Sequence, residues 1–238
     1  MDFLDAYSVR ARLFPAVLAI APAFALFLLG ATWSDPGMPE LITALAVAVL
    51  FFAAADLARR MGKRKERQLF ADTGGRPENR ELSRSDQTLD DATKDRYRAF
   101  LAKKLGVRAP SAQSEQDEPQ KAQAFCNQCY TWLRENTRDT EKFKVLFNEN
   151  ISYGFRRNLL GLKPFGIALN LMTLAGAAAL FHYHPDFSSM TEGKLVALAI
   201  LAAIHACYFT FAVTKRAVLD ASAIYARQLV MSCETLMS

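Results

Sequence analysis

Leu41–Arg67 reads LITALAVAVLFFAAADLARRMGKRKER. Its first 17 residues carry one charge, Asp56, and the ten that follow carry six cations: Arg59, Arg60, Lys63, Arg64, Lys65 and Arg67. An apolar run of that length is near the shortest that crosses the hydrocarbon core of a bilayer. A lone strand would leave its backbone groups unpaired in lipid, so the run is predicted to be a helix. The cations behind it mark the end that stays in the cytoplasm.

Three further runs of the same kind lie outward from it, at Leu13–Ala31, Phe165–Phe181 and Leu195–Val213. Thr32–Glu40, with Asp35-Pro36-Gly37, joins the first two spans, and His182–Lys194, with Pro185 and Gly193, joins the last two. Both joins are short and turn-like, so the spans form two hairpins. Arg10 and Arg12 precede the first span; Arg156, Arg157 and Lys163 precede the third; Lys215 and Arg216 follow the fourth. The hairpin loops hold only Lys194, which places them outside and both termini in the cytoplasm. Trp33 and Tyr183 fall where aromatic anchors of the outer boundary are expected. The expected fold is therefore an all-α membrane protein of four spans. Its parts are an N-terminal hairpin (1–58), a basic cytoplasmic helical domain (59–164) with a linker near 106–120, a C-terminal hairpin (165–213) and a cytoplasmic amphipathic helix (214–238).

The bulk composition hides this division. The 238 residues have a net charge of +5 and a mean hydropathy close to zero, because apolar blocks alternate with polar ones. The first span has basic flanks and ends in small residues, as a signal peptide does. Its apolar run is longer than a signal core, and it is expected to remain in the chain. Cys126, Cys129, Cys207 and Cys233 have no disulfide-scaffold spacing, which points to a reducing compartment.

Within the middle region, the second span's helix is expected to run on toward Phe70, until Asp72–Pro77 breaks it. A helix is predicted over 91–105, capped by Asp90 or Asp91 and ended by Gly106, with Tyr97, Leu101 and Leu105 on one face. Residues 109–120 lack large apolar side chains and read as a surface linker. A helix over 119–136 turns Phe125, Cys129, Trp132 and Leu133 inward. Another, from about Thr140 to Leu162, carries Phe143, Phe147, Ile151, Phe155 and Leu159 at four-residue spacing, the expected core of the cytoplasmic domain. Val218, Ala221, Tyr225, Leu229, Cys233 and Leu236 form a stripe at the C-terminus. That helix would pack on the same domain, on a second copy or on the membrane surface.

No catalytic set emerges: there is no phosphate-binding glycine loop, nucleophile elbow or zinc-protease helix motif. No enzyme activity, cofactor, metal or nucleic-acid partner is expected. Cys126 and Cys129 share a helix face but lack the further ligands zinc needs, so they read as structural cysteines. His182, His184 and Asp186 crowd one outer loop and could bind a metal or titrate, although a wetted polar loop explains them as well. Asn170, His205 and Thr210 are polar residues within spans, expected either to bond between helices or to line a pore. No intramembrane carboxylate pair supplies the relay of a proton-coupled transporter. Arg76, Arg80, Arg84, Arg134, Arg138, Arg156 and Arg157 are the candidate anion-binding set, since guanidinium forks match phosphate and carboxylate oxygens. Interspersed acids (Glu78, Glu81, Asp86, Glu135, Asp139) offer surface ion pairs as the plainer reading.

Trp132–Asp139 (WLRENTRD) and Asn150–Leu159 (NISYGFRRNL) resemble segments of an uncharacterised family of bacterial four-span inner-membrane proteins. The resemblance brings no catalytic residue. It marks Gly75, Arg84, Arg138, Tyr153, Arg156, Arg157 and Asn158 as positions of interest. In architecture alone the layout is also similar to small membrane effectors of antiphage defence systems. The functional expectation is an oligomeric membrane protein whose cytoplasmic domain senses an anionic small molecule or partner protein and gates or perturbs the bilayer. The alternatives are a membrane-anchored scaffold or accessory subunit and, third, a small-solute transporter.

Overall fold

The computed structural model describes residues 5–30, 39–72, 80–183 and 191–238; within its helices the side chains of 30, 39–48 and 72 are not described. The structure is 84% helical, with no strand among the described residues. Three helices are long and apolar enough to cross a membrane: Ala6–Leu29, Lys144–Tyr183 and Glu192–Ala212. The expected second span falls in a helix too, Pro39–Asp72, but part of its apolar run has no described side chains.

The first of these begins as α1 (Ala6–Ser8), capped by Asp5, whose carboxylate accepts from the Ser8 N–H at 2.5 Å. It widens into a π turn over Val9–Leu13 and continues as α2 (Phe14–Gly30), with Pro22 inside. The helix α3 (Pro39–Asp72) carries the basic run without a break. Next, α4 (Asp91–Leu105) has the expected ends: Asp90 accepts from the Thr93 N–H, and Gly106 closes it at φ 67°. That left-handed conformation suits glycine, which has no Cβ to clash. The remaining helices are α5 (Ala112–Asp117), α6 (Pro119–Asn136), α7 (Lys144–Tyr183), α8 (Glu192–Cys207) running into a π turn at Tyr208–Ala212, α9 (Lys215–Met231) and α10 (Cys233–Met237).

The chain folds as two compact units, one of residues 1–67 and 154–218, the other of 68–153 and 219–238. Of the residues in the expected 59–164 domain, 59–67 and 154–164 group with the first unit. Tight glycine contacts hold them there. A Cβ on Gly161 would lie 2.5 Å from the Met61 carbonyl carbon, and one on Gly154 would lie 2.8 Å from Tyr7 Oη. The aromatic stripe divides accordingly. Phe143 enters the core of the second unit, while Phe155 and Leu159 belong to the first. The helix expected from about Thr140 leads directly into the residues of the third span, since α7 passes through Pro164 as one helix.

In the second unit Leu82, Tyr97, Leu101, Phe125, Cys129, Tyr130, Leu133, Phe143, Leu146, Leu229, Val230 and Cys233 form one core. Tyr225, Leu229, Cys233 and Leu236 of the C-terminal stripe therefore pack on this core in their own chain. The linker read over 106–120 contains α5, capped by Ser111, whose Oγ accepts from the Ser114 N–H at 3.1 Å. It escaped sequence reading because its contribution to the unit is a carboxylate, not an apolar face. In the first unit Ala177, Leu195 and Leu198 pack with Ala25, Leu26 and Leu29.

Candidate functional site

In the second unit, α4 places two cations inside the fold. Arg98 is 1% exposed. It donates to the Leu82 carbonyl at 2.6 Å and the Pro110 carbonyl at 2.8 Å, pairs with Glu115 at 2.6 Å, and lies over the Phe125 ring. Lys94, equally buried, donates to the Asp86 carbonyl at 2.5 Å. Both fix the turns before and after α4 by holding main-chain carbonyls, and neither belonged to the expected set. The signal in the sequence was the apolar face of α4, which stops at Tyr97 and is completed by 94 and 98.

Glu81 sits in the same region, buried, and its Oε2 has no hydrogen-bond partner among the described residues. Burial, reinforced by the nearby Asp86 and opposed by Arg227, pushes its pKa up from 4.5 to about 8. Between those values the folded chain holds a proton that the unfolded chain has lost. Stability is then greatest below about pH 4.5 as far as this group is concerned, and declines as pH rises toward 8. Glu81→Gln is expected to abolish that decline. Thermal midpoints measured from pH 5 to 8 would fall for the parent protein and stay level for the variant.

The same unit brings two of the seven arginines together. Arg134, near the end of α6, and Arg138, in the turn that follows, line a cavity of about 330 Å³ with Thr137, Thr140, Asn150 and Tyr225. Asp139 organises this turn by accepting from the N–H groups of Glu141 and Lys142, each at 3.0 Å. Tyr225 is fixed by parallel stacking on Tyr153, with centroids 6.2 Å apart. Arg138 pairs with Glu135 at an exposed position, where such pairs contribute little and can exchange. The cavity thus combines two guanidiniums with hydroxyl and amide groups, a donor set suited to an oxyanion.

The other arginines lie elsewhere. Arg84 lines a different cavity, pairs with Asp95 at 2.7 Å, and donates its own N–H to Glu115. Arg80 is exposed, Arg76 lies outside the described residues, and Arg156 and Arg157 belong to the first unit. Cys126, Cys129 and Cys233 are buried in the core as free thiols, and burial raises their pKa values to about 11, 12 and 12. They stay protonated at neutral pH and are poor nucleophiles and ligands. Among the described residues no group of three His, Cys, Asp or Glu could hold a metal. His182 is exposed beside Tyr183, and His184 lies outside the described residues.

In the first unit, α7 presents a series of polar side chains, several of them to backbone carbonyls. Asn158, wholly buried, donates to the Ala11 carbonyl at 2.6 Å, inside the first π turn. Lys163 donates to the carbonyls of Thr210 (3.1 Å) and Val213 (2.9 Å), at the second π turn. Asn170 donates to the Ala202 carbonyl at 3.0 Å. On α8, His205 bonds the Leu18 carbonyl through Nε2 at 3.0 Å and stacks on Phe209. Arg157 joins Asn158 Oδ1 at 3.1 Å and Glu66 at 3.4 Å. Asn170 and His205 are thus engaged between helices, and Thr210 takes part through its main chain. No family model, curated protein or solved structure matches the chain, so these two constellations themselves are the basis for a functional reading.

Proposed function

We propose that the chain is an oligomeric, non-enzymatic protein of a bacterial inner membrane, with four spans and both termini in the cytoplasm. Its polar helical unit senses an anionic ligand or an acidic partner, and occupancy changes how the spans pack, giving a channel-like or membrane-perturbing response. The observation that carries this reading is the cavity shared by Arg134 and Arg138. Two forked cations beside Thr140 and Asn150 favour phosphate or carboxylate oxygens over neutral solutes. Oligomerisation is part of the proposal, because four short helices enclose little aqueous space on their own.

The test uses the full chain in nanodiscs and a panel of inorganic phosphate, pyrophosphate and nucleoside triphosphate as probes. One of these should raise the thermal midpoint. Arg134→Gln and Arg138→Gln should each weaken its binding about tenfold or more, the effect of losing one charge-assisted contact. Failure of every probe, or binding that both variants retain, removes the sensing role.

The engagement of Asn170 and His205 between helices favours a second reading, a membrane-anchored scaffold that docks a cytoplasmic protein. Asn170→Asp and His205→Asp separate the two. Ion flux in proteoliposomes changes if these helices border a conducting path and stays at background if they serve only as anchors. A chain that remains monomeric in both detergent and nanodiscs also excludes the pore.

A further inference from the structure

We propose that Arg12, Arg59, Lys63 and Arg157 form a binding site for the phosphoryl headgroup of an anionic membrane lipid. The site lies in the first unit and does not rest on the Arg134–Arg138 reading. Three chain segments converge to build it. The Asn158 amide donates to the Ala11 carbonyl, and Gly62 packs so closely on Asn158 that an added Cβ would lie 2.8 Å from its Cα. Arg12, Lys63 and Arg157 are the immediate chain neighbours of these three contacting residues. Arg59 stands one helical turn before Lys63 on α3.

Charge balance at this point is strongly positive. Partial desolvation of its ammonium lowers the Lys63 pKa, Arg59, Arg157 and Arg12 lower it further, and Glu66 opposes them. Glu66 faces Arg157 at 3.4 Å. Asp56 is paired with Arg60 at 2.7 Å. Arg12 is held in place by Ser8 Oγ, which accepts at 3.1 Å, and by the Tyr7 ring. Cations gathered this way repel one another, an added anion relieves that repulsion, and guanidinium and ammonium groups together suit a phosphate diester.

The surroundings favour a lipid as the source of that phosphate. Lys63 is exposed and Arg59 partly so. Phe14 and Leu57, each two residues from a cation of the cluster, are 54% and 40% exposed. Helices that carry both these cations and open apolar side chains suit a headgroup with its acyl chains, and basic residues just beyond a span lie at headgroup depth.

The experiment compares the full chain in nanodiscs of phosphatidylcholine alone and of phosphatidylcholine with phosphatidylglycerol, reading thermal midpoint and lipids retained in native mass spectrometry. The parent protein should be stabilised by phosphatidylglycerol and retain it. Arg59→Gln with Lys63→Gln should lower that retention about tenfold or more, while Lys215→Gln with Arg216→Gln, which removes the same charge elsewhere in the unit, should leave it intact. Lys63→Met, which keeps the aliphatic stem, serves where the double variant fails to fold. Equal retention in the cluster variants, an equal loss in the Lys215/Arg216 control, or full reproduction of the stabilisation by inorganic phosphate in detergent would each overturn the proposal.

Discussion

Gly161→Ala is expected to destabilise the protein by about 3 kcal/mol or more, the upper part of the range for overpacking. Most overpacked cores yield because the obstructing atoms belong to side chains that can turn away. Here the obstruction is main chain: the new Cβ would lie 2.5 Å from the Met61 carbonyl carbon and 2.8 Å from Gly62 Cα. Relief requires α3 and α7 to move apart. That separation would also loosen the Arg157–Glu66 pair across the same crossing. Small residues allow such close approach, and helices in apolar surroundings depend on it for dispersion contacts. Gly176→Ala on the same helix is the control. Its Cβ would meet Leu26 Cδ2 at 3.6 Å, an ordinary contact, and alanine is the better helix former by about 1 kcal/mol. Thermal midpoints of the purified variants decide the matter: if the two alanines behave alike, the crossing is not the tight point described.

Arg98→Met should cost about 3–5 kcal/mol, the range for removing one partner of a buried ion pair. Methionine fills much of the arginine's volume, so lost packing is a small part of the effect. The loss comes from Glu115, whose side chain is 10% exposed and would keep its charge without its partner. The Leu82 and Pro110 carbonyls lose their donors as well. Arg98→Met with Glu115→Gln should recover part of the stability, because no isolated charge then remains buried. Urea unfolding monitored by circular dichroism measures both. A single variant within about 1 kcal/mol of the parent, well below that range, would mean that Glu115 is solvated after all.

Local order was legible where a helix announces its own ends. The limits of α4 follow from Asp90 and Gly106, and α6 runs over the 119–136 segment marked by its inward aromatic and apolar residues. The three helices long and apolar enough to cross a membrane could be read from length and composition alone. What stayed hidden depends on contacts far apart in sequence. Arg98 and Lys94 look like solvated charges until Leu82, Pro110 and Asp86 are brought to them. The division at 153/154 is invisible in the aromatic stripe, which keeps its four-residue spacing across it. Glycines 62, 154 and 161 make close contacts within the first unit, and a helical glycine reveals its role only through what lies against it. The arginine set illustrates the same limit: Arg134 and Arg138 are four apart and meet at one cavity, while Arg84, equally plausible by composition, lines another.

The bonds made by Asn158, Lys163, Asn170 and His205 have an asymmetry that bears on how this sequence can vary. In each, the donor is a particular side chain and the acceptor is a main-chain carbonyl, which every residue type possesses. Thr210, exposed, and Leu18, half-buried, can therefore drift to other residues without losing their bond, whereas the four donors have few substitutes. Constraint is concentrated on one side of each contact. Paired substitutions, the usual trace of two touching residues, would not record these contacts. The helices could diverge widely at their accepting positions and still dock in the same register.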